Sequence, residues 1–568
     1  VVSFVPLFFL SGMEGRMLVP LGVAFIVALF ASTIVALTLT PVLCSYLLGS
    51  NKTNKELKEA PVARWMKGIY EKALTWVLAH KRVTLGSTIG LFVVALGVFF
   101  TLGRSFLPSF NEGSFTINIS SLPGISLEES NKMGHRAEEL LMTIPEIQTV
   151  ARKTGRAELD EHALGVNVSE IEAPFELKDR SRSELVADVR EKLGTITGAN
   201  IEIGQPISHR IAIKLFGDDL NKMFSLGNQI KGAISDIPGV ADLNVEQQIE
   251  RPQLKIQPKR EMLAKFGITL PEFSEYVNVA LAGKVISQVY EQGKSFDLIV
   301  KVKDDARDEI EKIRNLMVDT NDGRKVPLSY VAEVVSAMGP NTINRENVKR
   351  KIVISANVAD RDLRSVVNDI QKRIDTSVQL PEGYHIEYGG QFESEQAASR
   401  TLALTSFISI VVIFLLLYNE FRSVKESGVI LLNLPLALIG GVFALVITTG
   451  EVSIPAIIGF ISLFGIATRN GMLLISHYNH LQKEEGLNVY DSVIQGSLDR
   501  LNPILMTALS SALALIPLAL AGDLPGNEIQ SPMAKVILGG LLTSTFLNGF
   551  IVPIVYLMMH RKEAQKSL

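Results

Sequence analysis

The chain has 568 residues, of which 47% are hydrophobic and 20% charged, and its formal net charge is −3. This length allows several domains. The small net charge, without a long run of one sign, argues against a nucleic-acid binder, which would need a basic face to replace phosphate counterions. The single cysteine, Cys44, excludes an intrachain disulfide framework and multi-thiolate metal sites, and its apolar surroundings predict a buried, inert thiol.

Apolar runs of bilayer-spanning length recur along the chain and predict an integral membrane protein. The first run, Val1–Leu10, has about half the length that a span requires, so we interpret it as the end of a span that begins outside this sequence. Seven full spans are predicted. They cover Met17–Leu48, Val83–Gly103, Thr401–Tyr418, Val429–Thr449, Ser453–Ser476, Leu501–Ala521 and Val536–Met559.

Lysine and arginine mark the cytoplasmic side of these spans. They occur in the segment before the second full span, in the loop after Tyr418 and in the C-terminal tail: Lys52, Lys55, Lys58, Arg64, Lys67, Lys72, Lys81, Arg82, Arg422, Lys425, Arg561, Lys562 and Lys566. The alternate loops, Gly450–Val452 and Gly522–Ser531, hold Glu451, Asp523 and Glu528 and no Lys or Arg. Counting spans places Arg104–Arg400, the external region, on the side of these acidic loops, which is the periplasm if the cell has two membranes.

The external region alternates strands and helices and contains an internal repeat. A strand at Phe115–Ser120 and an amphipathic helix at Leu127–Met142 lead into another strand. The same order returns with strand Ile211–Phe216, helix Leu220–Ile234 and strand Asp242–Glu246. We therefore predict two small α/β subdomains packed side by side.

A third subdomain is predicted as an insertion that begins near Gly267. It contains the helix start Thr269-Leu270-Pro271-Glu272 and the hairpin turn Asn321-Asp322-Gly323. Strands at Lys351–Asn357 and His385–Tyr388 then return the chain to the membrane.

Arg469 is the most informative residue because it lies inside an apolar span. A guanidinium keeps its proton, so burying it requires a counter-charge or a water-filled cavity. The other full spans contain no Asp or Glu away from their ends, so a partner carboxylate is absent or belongs to helices outside this chain. Such a pair suits a proton-coupled machine, because protonating the acid releases the arginine. Snorkelling of Arg469 to the cytoplasmic surface is the alternative.

Asn470 and Thr507, polar residues in neighbouring apolar runs, could extend a proton relay from Arg469. Interhelical hydrogen bonding is the alternative role for each. No motif indicates an ATP-driven or hydrolytic enzyme: Gly293-Lys294-Ser295 resembles the end of a P-loop, but Gln288 stands where that loop needs glycine. We predict a secondary transporter without a cofactor.

Acidic and imidazole side chains in the external region predict contacts with a metal cation. The candidates are Glu158, Asp160, Glu161, His162, Glu170, Glu172 and His209. Oxygen and imidazole ligands suit Zn²⁺, Co²⁺ or Ni²⁺ better than Cu⁺. The alternative is that these residues form ordinary solvated loops.

Several segments resemble those of resistance-nodulation-cell division (RND) efflux permeases. The membrane motifs are Pro6–Gly12, Leu39–Cys44, Gly465–Gly471 and Met506–Leu509, and the motifs similar to the heavy-metal efflux branch are Leu122–Ser126, Lys153–Glu158 and Asn344–Asn347. The resemblance extends over the whole chain and matches the C-terminal half of such a permease.

The resemblance implies a membrane α-helical bundle plus an α+β extracytoplasmic porter domain of ferredoxin-like βαβ subdomains. The expected divisions are the end of one span and a full span (1–49), a cytoplasmic amphipathic segment (50–82), a span (83–104), a first porter subdomain (105–217), a second (218–258 and 335–398), a docking subdomain (259–334), a five-span bundle (399–560) and a cytoplasmic tail (561–568).

The family also implies a mechanism and partners. Its members pair a cation in the tenth span with aspartates in the fourth, and Arg469 matches that cation, whereas the fourth span lies outside this sequence. Members form homotrimers in the bacterial inner membrane with a periplasmic adaptor and an outer-membrane channel. This chain therefore needs the N-terminal half of the permease, and we do not expect it to pump alone.

The sequence departs from the copper and silver members of the family. Asn118 and Glu170 stand at two of their three methionine positions, and Arg469 and Leu505 replace their Glu and Lys in the tenth and eleventh spans. We therefore predict proton-driven export of divalent heavy-metal cations. Export of organic compounds by the same machinery, and a non-transporting membrane scaffold, are the alternatives.

Overall fold

A computed structural model describes residues 1–48, 60–107, 113–121, 124–155, 165–204, 211–246, 251–340, 343–359, 361–522, 524 and 526–560. A 3₁₀-helix at Val2–Phe9 comes first. The α-helices are α1 Gly12–Leu37, α2 Leu39–Leu48, α3 Pro61–Ala79, α4 Lys81–Thr101, α5 Leu127–Leu141, α6 Arg182–Leu193, α7 Leu220–Ile234, α8 Arg260–Lys265, α9 Leu270–Leu281, α10 Ile310–Arg314, α11 Leu328–Val331, α12 Leu363–Ser377, α13 Gln391–Phe421, α14 Val424–Leu431, α15 Asn433–Thr448, α16 Ile454–Lys483, α17 Val489–Leu520 and α18 Gln530–Met559.

Seven helical segments in the described part of the chain are long and apolar enough to cross a membrane. They coincide with the seven predicted spans: Glu14–Leu47, Lys81–Thr101, Gln391–Phe421, Val424–Thr448, Ile454–Lys483, Val489–Leu520 and Gln530–Met559. Most extend beyond the apolar runs because the helices continue into polar residues, as at the start of α13 and of α17. α15, α16 and α18 are the most buried and form the centre of the bundle.

The strands of the external region lie between α4 and α13, apart from the last one, which lies between α15 and α16. They are β1 Gly103–Arg104, β2 Ser114–Ser121, β3 Ala151–Thr154, β4 Val168–Pro174, β5 Ala199–Gly204, β6 Ile211–Phe216, β7 Val240–Val245, β8 Arg251–Pro258, β9 Lys284–Glu291, β10 Lys294–Val300, β11 Met317–Asp319, β12 Lys325–Pro327, β13 Ala332–Gly339, β14 Arg345–Glu346, β15 Lys349–Val358, β16 His385–Gly389 and β17 Glu451–Val452.

The two units of the predicted repeat each form part of a larger sheet. The first sheet has the order β3-β4-β2-β5, and the second has the order β14-β15-β6-β16 with β7 also paired to β15. In each case a strand–helix–strand unit (β2-α5-β3 and β6-α7-β7) opens the sheet, and apolar side chains of alternating strand positions pack on the helices.

The predicted boundary between the two subdomains, after residue 217, is wrong by one strand. β6 pairs with β15 from Phe216 to Ile211 and with β16 on its other edge. Its side chains Ile211, Ile213 and Leu215 are buried in the second core. The boundary therefore precedes Ile211, because strand pairing assigns β6 to the second sheet.

The third subdomain has its own small core. Leu263, Phe273 and Val331 are buried together there. Thr269 caps α9 as predicted, with its hydroxyl accepting from the Glu272 amide and the Glu272 carboxylate accepting from the Thr269 amide. The hairpin turn joins β11 to β12.

Cys44 is exposed, so the prediction of a buried thiol is wrong for the described chain. The apolar residues around Cys44 on α2 are exposed as well. An apolar run in a membrane helix can face lipid rather than a protein core, which the composition of the run cannot distinguish.

Candidate functional site

Arg469 lies near the middle of α16, the helix that packs against α15, α17 and α18. The hydroxyl of Ser453 caps the start of this helix by accepting from the Ala456 amide at 3.4 Å. From Arg469 to the last residue, Lys483, the helix rises roughly 21 Å at about 1.5 Å per residue. Arg469 is therefore far from both ends of this helix.

Near Arg469, one side of α16 is not covered by the described part of the chain. Ala467 and Asn470 are buried, whereas Arg469 is exposed on the surface of the described bundle. One turn earlier on the same face, a Cβ at Gly465 would lie 2.9 Å from Ser3 Oγ of the 3₁₀-helix. No described carboxylate forms an ion pair with Arg469. Arg469 thus lies on the face of α16 that carries Gly465 and meets the 3₁₀-helix at Ser3.

The opposite face of α16 meets a buried amide. A methyl group at Gly471 would overlap the side-chain amide of Asn433 at the start of α15. Asn433 is fully buried, and neither of its amide atoms has a hydrogen-bond partner among the described residues; the same holds for Asn548 of α18. Neither asparagine was predicted as a site residue from the sequence, although an isolated asparagine in an apolar run is the same signal that selected Asn470.

Thr507 lies alongside this part of α16 but does not bond to it. Its hydroxyl donates to the carbonyl oxygen of Pro503 at 2.8 Å, one turn earlier in α17. The next residue, Ala508, is buried in a small cluster with Ala467 and Leu541. The structure thus places the Thr507 and Arg469 segments next to each other, without a hydrogen bond between the described side chains.

A polar network joins the ends of α14, α16, α17 and α18, and sequence reasoning did not find it. The hydroxyls of Tyr478 and Ser497 are 2.6 Å apart and buried. Tyr556 donates to Asn479 at 2.6 Å, and Asn479 donates to Glu426 at 3.0 Å. These bonds hold four helices together at the end of α16 that follows Arg469.

Most of the predicted metal ligands, Glu158, Asp160, Glu161, His162 and His209, lie outside the described residues. Glu170 and Glu172 lie two positions apart on β4, so their side chains share one face. Among the described residues, no group of three or more His, Cys, Asp and Glu could hold a metal ion.

One row of the first sheet nevertheless brings oxygen donors together. Asn118 of β2 is directly opposite Glu170 of β4 on one side and Glu202 of β5 on the other. Directly paired residues place their side chains on the same face. Lys153 of β3 continues the row, and its ammonium lies 2.7 Å from Glu170. Glu202 is only 8% exposed; sequence reasoning missed it because its position beside Asn118 depends on how β5 pairs.

Comparison with known proteins places the whole chain in one group. Protein HelA of Legionella pneumophila is 35% identical, over 100% of this chain and 56% of HelA. The cobalt-zinc-cadmium resistance protein CzcA of Cupriavidus metallidurans is 33% identical, over 99% of this chain and 55% of CzcA. The X-ray crystal structure of a heavy metal efflux pump matches with a TM-score of 0.77 at 27% identity, over 99% of this chain and 57% of that chain.

The chain thus spans about half the length of the relatives that it matches. The AcrB/AcrD/AcrF family matches residues 1–560, which is nearly the whole sequence. With its seven membrane-length helices and the intervening α+β region, this chain belongs to the AcrB/AcrD/AcrF family of RND permeases and to its heavy-metal efflux branch.

Proposed function

We propose that this chain is part of a proton-driven permease that exports divalent heavy-metal cations across the cell envelope. The observation that carries the proposal is Arg469, a permanent charge in the middle of a membrane helix, with no carboxylate partner among the described residues. Relatives named for cobalt, zinc, cadmium and nickel resistance support the choice of cargo.

The counter-charge for Arg469 would come from membrane helices of the other half of the permease. Those helices would pack beside the 3₁₀-helix, where Arg469 is exposed and one turn from Gly465. Protonation of the facing carboxylate would remove its attraction for the guanidinium and change the preferred position of α16. Asn470 and Thr507 would then act as neighbours that stabilise water or helix contacts rather than as ion-pair partners.

The cation would be bound in the external region by oxygen ligands. The row Glu170–Asn118–Glu202 offers two carboxylates and an amide, which favour divalent cations over Cu⁺. A cation would have to displace Lys153 from Glu170. Glu172 lies two residues further along β4. It and the five candidates outside the described residues would complete the ligand set or guide the cation to it.

Nothing in the described residues of the first subdomain favours an organic substrate. An aromatic pocket would be expected for such a cargo, but Phe115 and Phe175 stack at 4.3 Å inside the core of this subdomain. Their exposed fractions are 1% and 8%. These rings stabilise the fold and do not line a cleft.

The strand order of the external region supports the porter architecture of the assembled permease. In both larger sheets the second and third strands pair, and the first strand lies between the third and the fourth, which supports ferredoxin-like porter subdomains. By family, the permease would be a homotrimer of the bacterial inner membrane, with this region in the periplasm against an adaptor and an outer-membrane channel.

The proton-coupling step is tested in the complete permease. Arg469→Gln should abolish metal-dependent proton flux in proteoliposomes and lower metal tolerance of cells at least about tenfold, because the guanidinium cannot be replaced by a neutral group. Lys425→Gln removes one positive charge from an exposed position at the start of α14 and serves as the control. Full activity of Arg469→Gln would refute proton coupling through this residue.

The cargo is tested separately by metal binding to the purified permease. Glu170→Gln with Glu202→Gln should weaken Zn²⁺, Co²⁺ or Ni²⁺ binding at least about tenfold in calorimetry. Glu191→Gln, an exposed acid on α6, should leave the affinity unchanged. Equal affinity in both variants would remove this row from the cation path.

A further inference from the structure

α3 carries an apolar face that no described part of the chain covers. Val62, Trp65, Ile69 and Trp76 are spaced by three, four and seven residues, which places them on one side of the helix. Their exposed fractions range from 51% to 67%. Together they form a stripe of two aromatic and two branched aliphatic side chains, which we call the outer stripe.

The neighbouring face of α3 fixes the helix to the bundle. Leu74 and Val77 are buried in a cluster that includes Tyr478, near the end of α16. The hydroxyl of Tyr70 donates to the carbonyl oxygen of Gly549 in α18 at 2.5 Å. α3 therefore has a set orientation beside the ends of α16, α17 and α18, and its outer stripe points away from them.

The position of α3 in the chain indicates that the outer stripe faces lipid. The helix lies between two membrane-length helices, and α4 follows it after a single residue, His80. Exposed apolar side chains continue on α4, including Val83 and Ile89. Tryptophan is enriched where a protein crosses the boundary between headgroups and acyl chains.

The charges around the stripe indicate the type of lipid. The segment from Ala60 to Arg82 contains one acidic residue, Glu71, and five basic ones: Arg64, Lys67, Lys72, Lys81 and Arg82. Lys72, Lys81 and Arg82 are exposed, and no described carboxylate pairs with them. A basic rim next to an apolar stripe is complementary to a bilayer surface with phosphate headgroups and a net negative charge.

We propose that α3 lies in the cytoplasmic leaflet at the level of the headgroups and binds anionic phospholipid, with the outer stripe in the acyl region and Lys72, Lys81 and Arg82 on lipid phosphates. This interaction is independent of the transported cargo. It also fixes the end of α16 relative to the bilayer, because α3 packs on Tyr478.

The chain contains two tryptophans, Trp65 and Trp76, and both belong to the outer stripe. Their fluorescence in the purified full chain, reconstituted into vesicles, therefore reports on this surface alone. Phosphatidylcholine brominated near the top of its acyl chains should quench the emission more strongly than the same lipid brominated near the chain ends. Trp65→Phe and Trp76→Phe assign the quenching to each position. Emission that neither lipid quenches would overturn the proposal and leave the stripe to a protein partner.

Lipid selectivity is measured with brominated phosphatidylglycerol against brominated phosphatidylcholine at equal mole fraction in the same vesicles. The anionic lipid should quench at least about twofold more strongly at low salt, and the ratio should approach one in about 1 M salt, where the Debye length is about 3 Å. Lys72→Gln with Lys81→Gln should also bring the ratio to one. Lys255→Gln with Lys265→Gln, in β8 and α8, should not change it. A wild-type ratio of one would refute anionic-lipid binding.

Discussion

The contact between α15 and α18 leads to a prediction whose size can be worked out from the structure. A Cβ added at Gly539 would lie 2.5 Å from the Cβ of Ala444 and would overlap the carbonyl oxygen of Gly440. Two carbon atoms need about 3.5–4.0 Å, so Gly539→Ala must separate the helices by about 1 Å. Because backbone atoms cannot rotate away, this overpacking should destabilise the bundle by about 1–3 kcal/mol.

The change is measured on the full chain in detergent, by the fraction that remains folded after heating or titration with denaturant. Gly428→Ala is the matched control, because its new methyl group meets no atom within 4 Å. That variant should be neutral or more stable by up to about 1 kcal/mol, as expected for replacing helical glycine. Ala444→Gly should partly rescue Gly539→Ala. Equal stability of Gly539→Ala and Gly428→Ala would refute the close approach of α15 and α18.

Two further predictions concern the external region. Arg190 of α6 donates twice to the carboxylate of Asp242 in β7. Arg190→Ala should therefore weaken the contact between the first and second subdomains by about 1–3 kcal/mol and speed amide exchange in β5 and β7. Unchanged exchange would contradict this contact. The Arg180 guanidinium lowers the pKa of Glu146 below its usual 4.5, so the stabilisation from Glu146 is present above pH 4.5 and is lost as the pH falls through the folded pKa. The thermal midpoints of wild type and Glu146→Gln should therefore begin to converge as the pH falls below 4.5 towards the lowered folded pKa, and a constant difference would disprove the linkage.

Features that depend on a few adjacent residues were predictable from the sequence. The spans follow from the length of each apolar run, which is a local property, and the start of α9 follows from the pairing of Thr269 with Glu272. Arg469 could be selected for the same reason, because a charge inside an apolar run is visible without any fold.

Features that depend on residues distant in sequence were not predictable. The assignment of β6 to the second sheet is decided by its pairing with β15, more than 130 residues later, and the position of Glu202 beside Asn118 by the pairing of β5 with β2. The exposure of Cys44 depends on which face of α2 is covered. Periodicity describes a face of a helix or strand, but it does not say what the face contacts.

The start of α16 suggests how an event at Arg469 could reach the external region. β17 leads directly into α16 and pairs in parallel with β1, and the Arg104 amide of β1 donates to the carboxylate of Asp362 at 3.1 Å. Asp362 also caps α12, a helix of the second subdomain, and Arg364 of α12 pairs with the buried Glu395 of α13. A displacement of α16 must therefore move β17 with it, and β1 and the start of α12 must follow unless these hydrogen bonds break. A helix that carries the charge at its middle and the sheet contact at its start is the kind of element whose position both a proton and a bound cation can bias.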